Sequence, residues 1–404
     1  MKTFFLLGIN ICFSTLAYAQ DAAGSDSIKV IFAKYIALAD STQELKRRIN
    51  GVAENVASMN VNIEKRFGSN LYAPENIIAR RERTIKKTAD FIKSAEPLFD
   101  QILRTSETEA ILQKLTALNN VNDSSLGFSL STDIRQILDQ TLFSNPQARK
   151  ATDKAKFFAI VNNILKSPLT KGLADLVPMG NAVRSVANLA FTTTLSNPKI
   201  KVEDLTSALD VKFKYYIVYY DGLEGAYTRY EQGLTSLTTR RDAVRDLLRD
   251  YAYNFQETLS ETRIPERSDE KYMELLKAFK TSEVAASIER VRNDPKNKTR
   301  NGQVAYDALV NDSRLILSEV NAVQAKFISD ELMSLSNSYF DNLITYNENV
   351  KSVIKNLSGN LGSLEKRTQK IRDIDDNISK LKKLKEKGTT LVLLKSALDE
   401  LLRP

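Results

Sequence analysis

The sequence contains no histidine and no tryptophan, and Cys12 is its single cysteine. Without histidine there is no Ser-His-Asp or Cys-His nucleophile and no imidazole ligand for zinc. Nor is there a side chain whose ordinary pKa lies near neutrality. One cysteine cannot form an intrachain disulfide or an iron–sulfur ligand set. Glycine and proline are scarce as well, at 14 and 9 in 404 residues, which leaves few turn-forming positions. Gly-rich phosphate loops, dinucleotide fingerprints and Cys or His metal spacings are absent. The residues therefore argue for a non-enzymatic chain with neither cofactor nor metal. A carboxylate pair of the glycosidase type remains compositionally open, but it needs a concave, aromatic-lined cleft.

What is present is apolar and charged in helical proportion: 42% hydrophobic and 27% charged residues. Residues 1–19 have the form of a signal peptide. Lys2 precedes the mainly apolar stretch Phe4 to Leu16, and Ala17-Tyr18-Ala19 is a small-x-small cleavage site. Export to a periplasmic or extracellular location is expected, with Gln20 as the new N-terminus. Cys12 is followed by Phe13, which is not the small-residue setting of a lipidation cysteine. No later run approaches the ~18 uninterrupted apolar residues of a membrane-spanning helix.

Net charge is +8, and its location matters more than its size. Residues 351–404 hold 13 Lys and Arg against 7 Asp and Glu, whereas 20–350 are nearly balanced. From Lys351 onward there is no Phe, Tyr or Trp to stack on a base, so nucleic acid is not an expected partner. A solvated helix face is expected there, with contact to an anionic membrane or polymer as the alternative.

Hydrophobic spacing sets the fold class. Leu209, Tyr216, Leu223, Tyr230, Leu237, Val244 and Tyr251 form one seven-residue series. Phe213, Tyr220, Tyr227, Leu234, Arg241, Leu248 and Phe255 form a second, offset by four. Such a 3-4 pattern keeps one seam of a helix turned toward a partner helix. Ile28 to Arg66 and Leu343 to Leu381 carry the same grammar, the latter across Gly359 and Gly362, where a bend or break is expected. Residues 75–118 read as a helix opening at Pro74, with a kink at Pro97. Breaks are expected at Gly68 to Pro74, Asn119 to Thr132, Ser196-Asn197-Pro198, Ile264-Pro265 and Asn293 to Gly302.

The expected fold is all-α: an elongated antiparallel helical bundle or coiled coil with a small Pro/Gly-broken apolar helical cap. A helix over 202–262 alone would reach ~90 Å at 1.5 Å per residue. The division of the chain is 1–19 signal, 20–118 N-terminal long helices, 119–200 cap, and 201–404 long helices with a basic end, packing with 20–118 as one rod.

The cap contains a compositional island. Between Asp153 and Glu203 the only acid is Asp175, while Lys156, Lys166, Lys171, Arg184 and Lys199 are basic. Its apolar residues include Phe157, Phe158, Leu173, Val177 and Phe191. One expectation is a compact cap that buries these groups. The other is that 157–195 inserts into lipid, with those five residues as membrane contacts. In layout, without any motif, the second is similar to the head of helical pore-forming toxins.

Other candidate residues concern partners. Tyr216, Tyr220, Tyr227 and Tyr230 fall on the seam and read as packing, whereas Tyr215 and Tyr219 fall off it and are candidates for a partner contact. Arg241 is the one charge in the best seam, so it either fixes register or reaches out to solvent. Asp373, Asp375 and Asp376 lie on a helix among lysines and read as solvated, not as a calcium loop. Ser363 and Lys366 have the S-x-x-K spacing of serine–lysine nucleophiles, but the companion motifs of that class are missing. The expected function is protein–protein interaction outside the cytoplasm, as scaffold, spacer or adaptor, with an unidentified protein partner or a homo-oligomer. The alternative is a membrane-active protein.

Overall fold

The computed structural model describes residues 73–387, apart from 104, 145, 147–148, 150–151, 167–178, 196–201, 358 and 360. The expected signal 1–19 and the heptad segment from Ile28 to Arg66 lie outside the described residues.

Among the described residues the chain is all-α. Its helices are α1 (Pro74–Gln101), α2 (Ser106–Thr116), α3 (Leu130–Thr141), α4 (Lys154–Lys166), α5 (Met179–Leu195), α6 (Val202–Ser260), α7 (Asp269–Ala278), α8 (Thr281–Asn293), α9 (Tyr306–Val310), α10 (Ser313–Lys355) and α11 (Leu364–Lys387). The described residues contain no strand, only an isolated bridge between Lys298 and Val304. No described helix is long and apolar enough to cross a membrane.

The chain divides into two compact units. The first comprises Met1–Lys93, Arg245–Ile328 and Ala397–Pro404; the second comprises Ser94–Val244 and Ser329–Ser396. These limits fall inside α1, α6 and α10.

Heptad spacing accounts for the second unit. In α6, Leu209, Phe213, Tyr216, Tyr220, Leu223 and Tyr230 are all buried, and so are Leu343, Tyr346, Val350 and Ile354 of α10. Burying each such side chain contributes about 2 kcal/mol before entropy is counted. The two helices run antiparallel: Gly222 meets Val353, Gly233 meets Asn342, and Asn342 Nδ2 donates to the Tyr230 carbonyl at 3.0 Å. Helix α11 returns antiparallel to α10, with Lys351 paired to Asp375 and Lys385 to Asp341 at 2.6 Å.

The late seam is thus two helices. Gly362 has φ +72°, and a Cβ there would collide with the Leu126 carbonyl oxygen, so the chain turns at that glycine. Leu364, read as a seam position, is the first residue of α11 and 73% exposed. Residues 75–118 also hold two helices instead of one. Thr105 and Thr108 form a capping box, with Thr108 N–H donating to Thr105 Oγ1 at 3.2 Å and Thr105 N–H to Thr108 Oγ1 at 3.0 Å. That exchange starts α2 afresh.

In the first unit, Tyr253 and Phe255 of α6 pack on Tyr272 and Phe279, with ring centroids 6.2 and 5.7 Å apart. Arg292 of α8 holds Glu82 of α1 at 2.5 and 2.8 Å, and the Arg81 guanidinium donates to the Val310 carbonyl.

Candidate functional site

The tyrosines of α6 are the densest collection of functional side chains, and they face inward. Phe128, from the loop before α3, meets Tyr216 and Tyr219 edge-on at 5.8 and 5.4 Å. Tyr219 in turn meets Tyr220 at 4.9 Å. Further along, Tyr230 stacks on Tyr346 of α10 at 5.0 Å, with Tyr227 edge-on to Tyr346 at 6.2 Å. The Tyr216 hydroxyl donates to Asp133 Oδ2 at 2.7 Å. The Tyr219 hydroxyl is buried and has no hydrogen-bond partner among the described residues. Burial, above all, pushes the phenols of Tyr216, Tyr219, Tyr220, Tyr230 and Tyr346 well above their ordinary pKa. They are neutral packing groups at any physiological pH.

Tyr219, expected off the seam and free to meet a partner, is therefore corrected: it is 3% exposed, because Phe128 packs on the side of α6 that a two-helix seam would leave open. Tyr215 is half-buried against the same core. Tyr346 falls on the late heptad series read from the sequence, whereas Phe128 was not singled out, since it belongs to a loop whose neighbours spacing does not reveal.

The described apolar residues of the island pack into the same core. Phe157 and Phe158 of α4 are buried and lie 5.5 Å from Phe143, with Arg135 5.3 Å above the Phe158 ring. Phe191 of α5 is half-buried there, while Ile160 is exposed. Leu173 and Val177 lie outside the described residues.

The charge that links helices is Arg240, not its neighbour. Arg240 Nε and Nη2 donate to Glu331 Oε2 at 3.1 and 2.5 Å, and Nη2 also donates to Ser334 Oγ at 3.0 Å. Arg241 turns along its own helix to Asp242, at 2.9 and 2.8 Å. A heptad count assigns the seam to Arg241. Arg240, flanking it, has the reach to α10.

Asp375 is held by Lys351, and Asp373 accepts from Gln369 at 2.9 Å, so neither belongs to a convergent oxygen cage. Among the described residues no cluster of acids or thiols could hold a metal ion. Ser363 precedes α11; its N–H donates to the Leu126 carbonyl at 3.0 Å, and Lys366 Nζ points to the Ser124 carbonyl at 3.5 Å. The S-x-x-K spacing is thus a helix start.

In the first unit a polar knot closes three turns. Asp312 accepts from Arg314 Nε and Nη2 at 2.9 and 2.6 Å, from Arg314 N–H at 3.0 Å and from Asn297 Nδ2 at 2.7 Å. Arg314 also reaches Asp294 at 2.9 Å and Glu261 at 3.5 Å. Burial alone would raise the Asp312 carboxyl, but these bonds from Arg314 and Asn297 outweigh it and hold it at about 2. Every group has a structural partner, so the knot positions loops and presents no reactive atom. Its visible signal in the sequence was the expected break over Asn293 to Gly302, which holds Asp294 and Asn297.

Among the apolar side chains that the described core leaves exposed are two on the outside of α6, Val211 and Val218, 52% and 62% exposed and one heptad apart. No protein-family model matches the chain, and neither a curated protein nor a solved structure matches it.

Proposed function

We propose that this is an exported, non-enzymatic helical protein that acts by protein–protein interaction, as a scaffold, spacer or adaptor in the cell envelope. The observation that carries the reading is the pair Val211 and Val218, which stand in solvent on a helix whose other side forms the core. The tyrosines, the Arg240 bridge and the knot around Asp312 are consistent with it, because each is engaged within its own unit. The signal-like residues 1–19 and the small-x-small site ending at Ala19 support export.

The test places a photo-crosslinking residue at Val218, or as a control at the exposed Arg372, in cells that make the full chain. Adducts that depend on the position, in an envelope fraction whose protein begins at Gln20, are expected. Equal or absent adducts at both positions would sink the interaction reading, and a protein retained with Met1 in the cytoplasm would sink export. Leakage of dye from anionic liposomes would favour the membrane-active alternative instead.

A further inference from the structure

Val211, Val218 and Gly225 follow one another at seven-residue intervals along α6 and so lie on one side of it. The two valines are 52% and 62% exposed. A Cβ built on Gly225 would meet nothing within 4 Å, so no packing inside the molecule requires glycine there, in a helix interior where alanine is more stable. The stripe therefore reads as a projecting side chain, a central side chain and a vacancy.

The charges beside the stripe repeat that symmetry. Lys214 is exposed and has no ion pair among the described residues. Seven residues on, Asp221 is paired to Arg184 of α5, with Glu224 one turn further and no ion pair of its own among the described residues. Two carboxylates thus share one guanidinium. Burial first, and the Asp221 charge second, raise the Glu224 carboxyl above its ordinary range, with Arg184 offsetting only part. A further cation beside Asp221 would complete the balance.

We infer that this face of α6 is a self-complementary docking surface, on which a second copy of the chain lies antiparallel about a two-fold axis at Val218. With that axis Val218 faces Val218 of the second copy, Val211 enters the vacancy at Gly225, and Lys214 reaches Asp221. Knob and vacancy stand equally far from Val218, and the lysine and the carboxylate stand four residues before it and three after it. A surface that carries its own complement in this way suits an isologous dimer better than a foreign partner. One helix face is a small interface, so the dimer is transient and self-limiting.

The inference rests on the interaction reading above, naming the partner as the chain itself. Its test uses the full chain carrying Cys12→Ser. Under mild oxidation Val218→Cys forms a disulfide-linked dimer, because a residue on the axis meets its own copy. Val211→Cys alone does not, since the two sulfurs' helices place residues 211 about 21 Å apart at 1.5 Å per residue, against the ~7 Å limit for a disulfide. Val211→Cys combined with Gly225→Cys links again. Lys214→Glu, in sedimentation of the otherwise unaltered chain, weakens association about ten-fold. Linking of Val211→Cys as readily as Val218→Cys, or of neither Val218→Cys nor the 211/225 pair, overturns the dimer. Heterologous photo-adducts at Val218 on a strictly monomeric chain would overturn it too, while leaving the interaction reading intact.

Discussion

Arg240 on α6 and Glu331 on α10 lie 91 residues apart in sequence, yet two nitrogens of the guanidinium share one carboxylate oxygen, at 3.1 and 2.5 Å. The arginine is 36% and the glutamate 20% exposed at the side chain, so the pair is partly shielded from water. A bridge in that setting contributes about 1 kcal/mol, more than a fully exposed pair. Arg241 is bonded to its sequence neighbour Asp242 and, among the described residues, joins no second element.

A double-mutant cycle on Arg240→Ala and Glu331→Ala, read by chemical denaturation, should therefore give a coupling of about 1 kcal/mol. The corresponding cycle on Arg241 and Asp242 should give less than about 0.3 kcal/mol. Equal couplings would show that the bridge has no part in fixing α6 against α10.

The two buried tyrosines separate a satisfied hydroxyl from an orphaned one. Tyr216 donates to Asp133, whereas the Tyr219 hydroxyl has no partner among the described residues. Tyr216→Phe removes a charge-assisted bond and should cost about 1–2 kcal/mol. Tyr219→Phe relieves a desolvated group and should be neutral or stabilising by up to about 1 kcal/mol. Thermal melts of the two variants suffice, and a larger loss at Tyr219 than at Tyr216 would contradict the assignment.

Period decided what could be read in advance. The α6 seam from Leu209 to Phe255 was legible because burial of a helix face repeats every seven residues, and most of those side chains are buried as the spacing implies. The expected breaks near Pro74, Asn119, Pro265 and Asn293 coincide with helix ends, since proline and asparagine act locally. What spacing could not show was which face receives a third layer. Tyr219 sits off the two-helix seam, yet Phe128 packs on it and it is buried in the same core. The same limit hid Arg240, because the reach of a flanking side chain depends on a neighbour 91 residues away. The knot at Asp312 was hidden because Glu261, the Asp294–Asn297 turn and Arg314 are three stretches far apart in sequence with no common period.

That knot makes acid stability a specific expectation. The carboxyl of Asp312 is held at about 2, below its ordinary value, so its contribution is fully present above about pH 4 and is lost as the pH falls from there toward 2. The loss should amount to about 1–2 kcal/mol. Asp312→Asn should remove that part of the acid dependence while lowering stability near neutrality, because Arg314 is then left 8% exposed without its closest carboxylate. Unfolding followed between pH 2 and 7 for both proteins checks this, and parallel profiles would exclude Asp312 as the group responsible.

Glu261 ends the 59-residue helix α6 in a conformation that suits glycine, with φ +52°, the single described non-glycine residue in the left-handed region. Its carboxylate points at Lys296 and Arg314, each 3.5 Å away, so charge across the knot opposes backbone strain of about 1–2 kcal/mol. The two contributions can be separated. Glu261→Ala loses the charge and keeps the strain, and should destabilise by about 0.5–1 kcal/mol. Glu261→Gly loses the charge but releases the strain, and should be more stable than the alanine variant by about 1 kcal/mol. If the two variants melt together, the left-handed residue carries no strain. If glycine falls below alanine, the helix end owes its form to some interaction other than the ion pairs around Arg314.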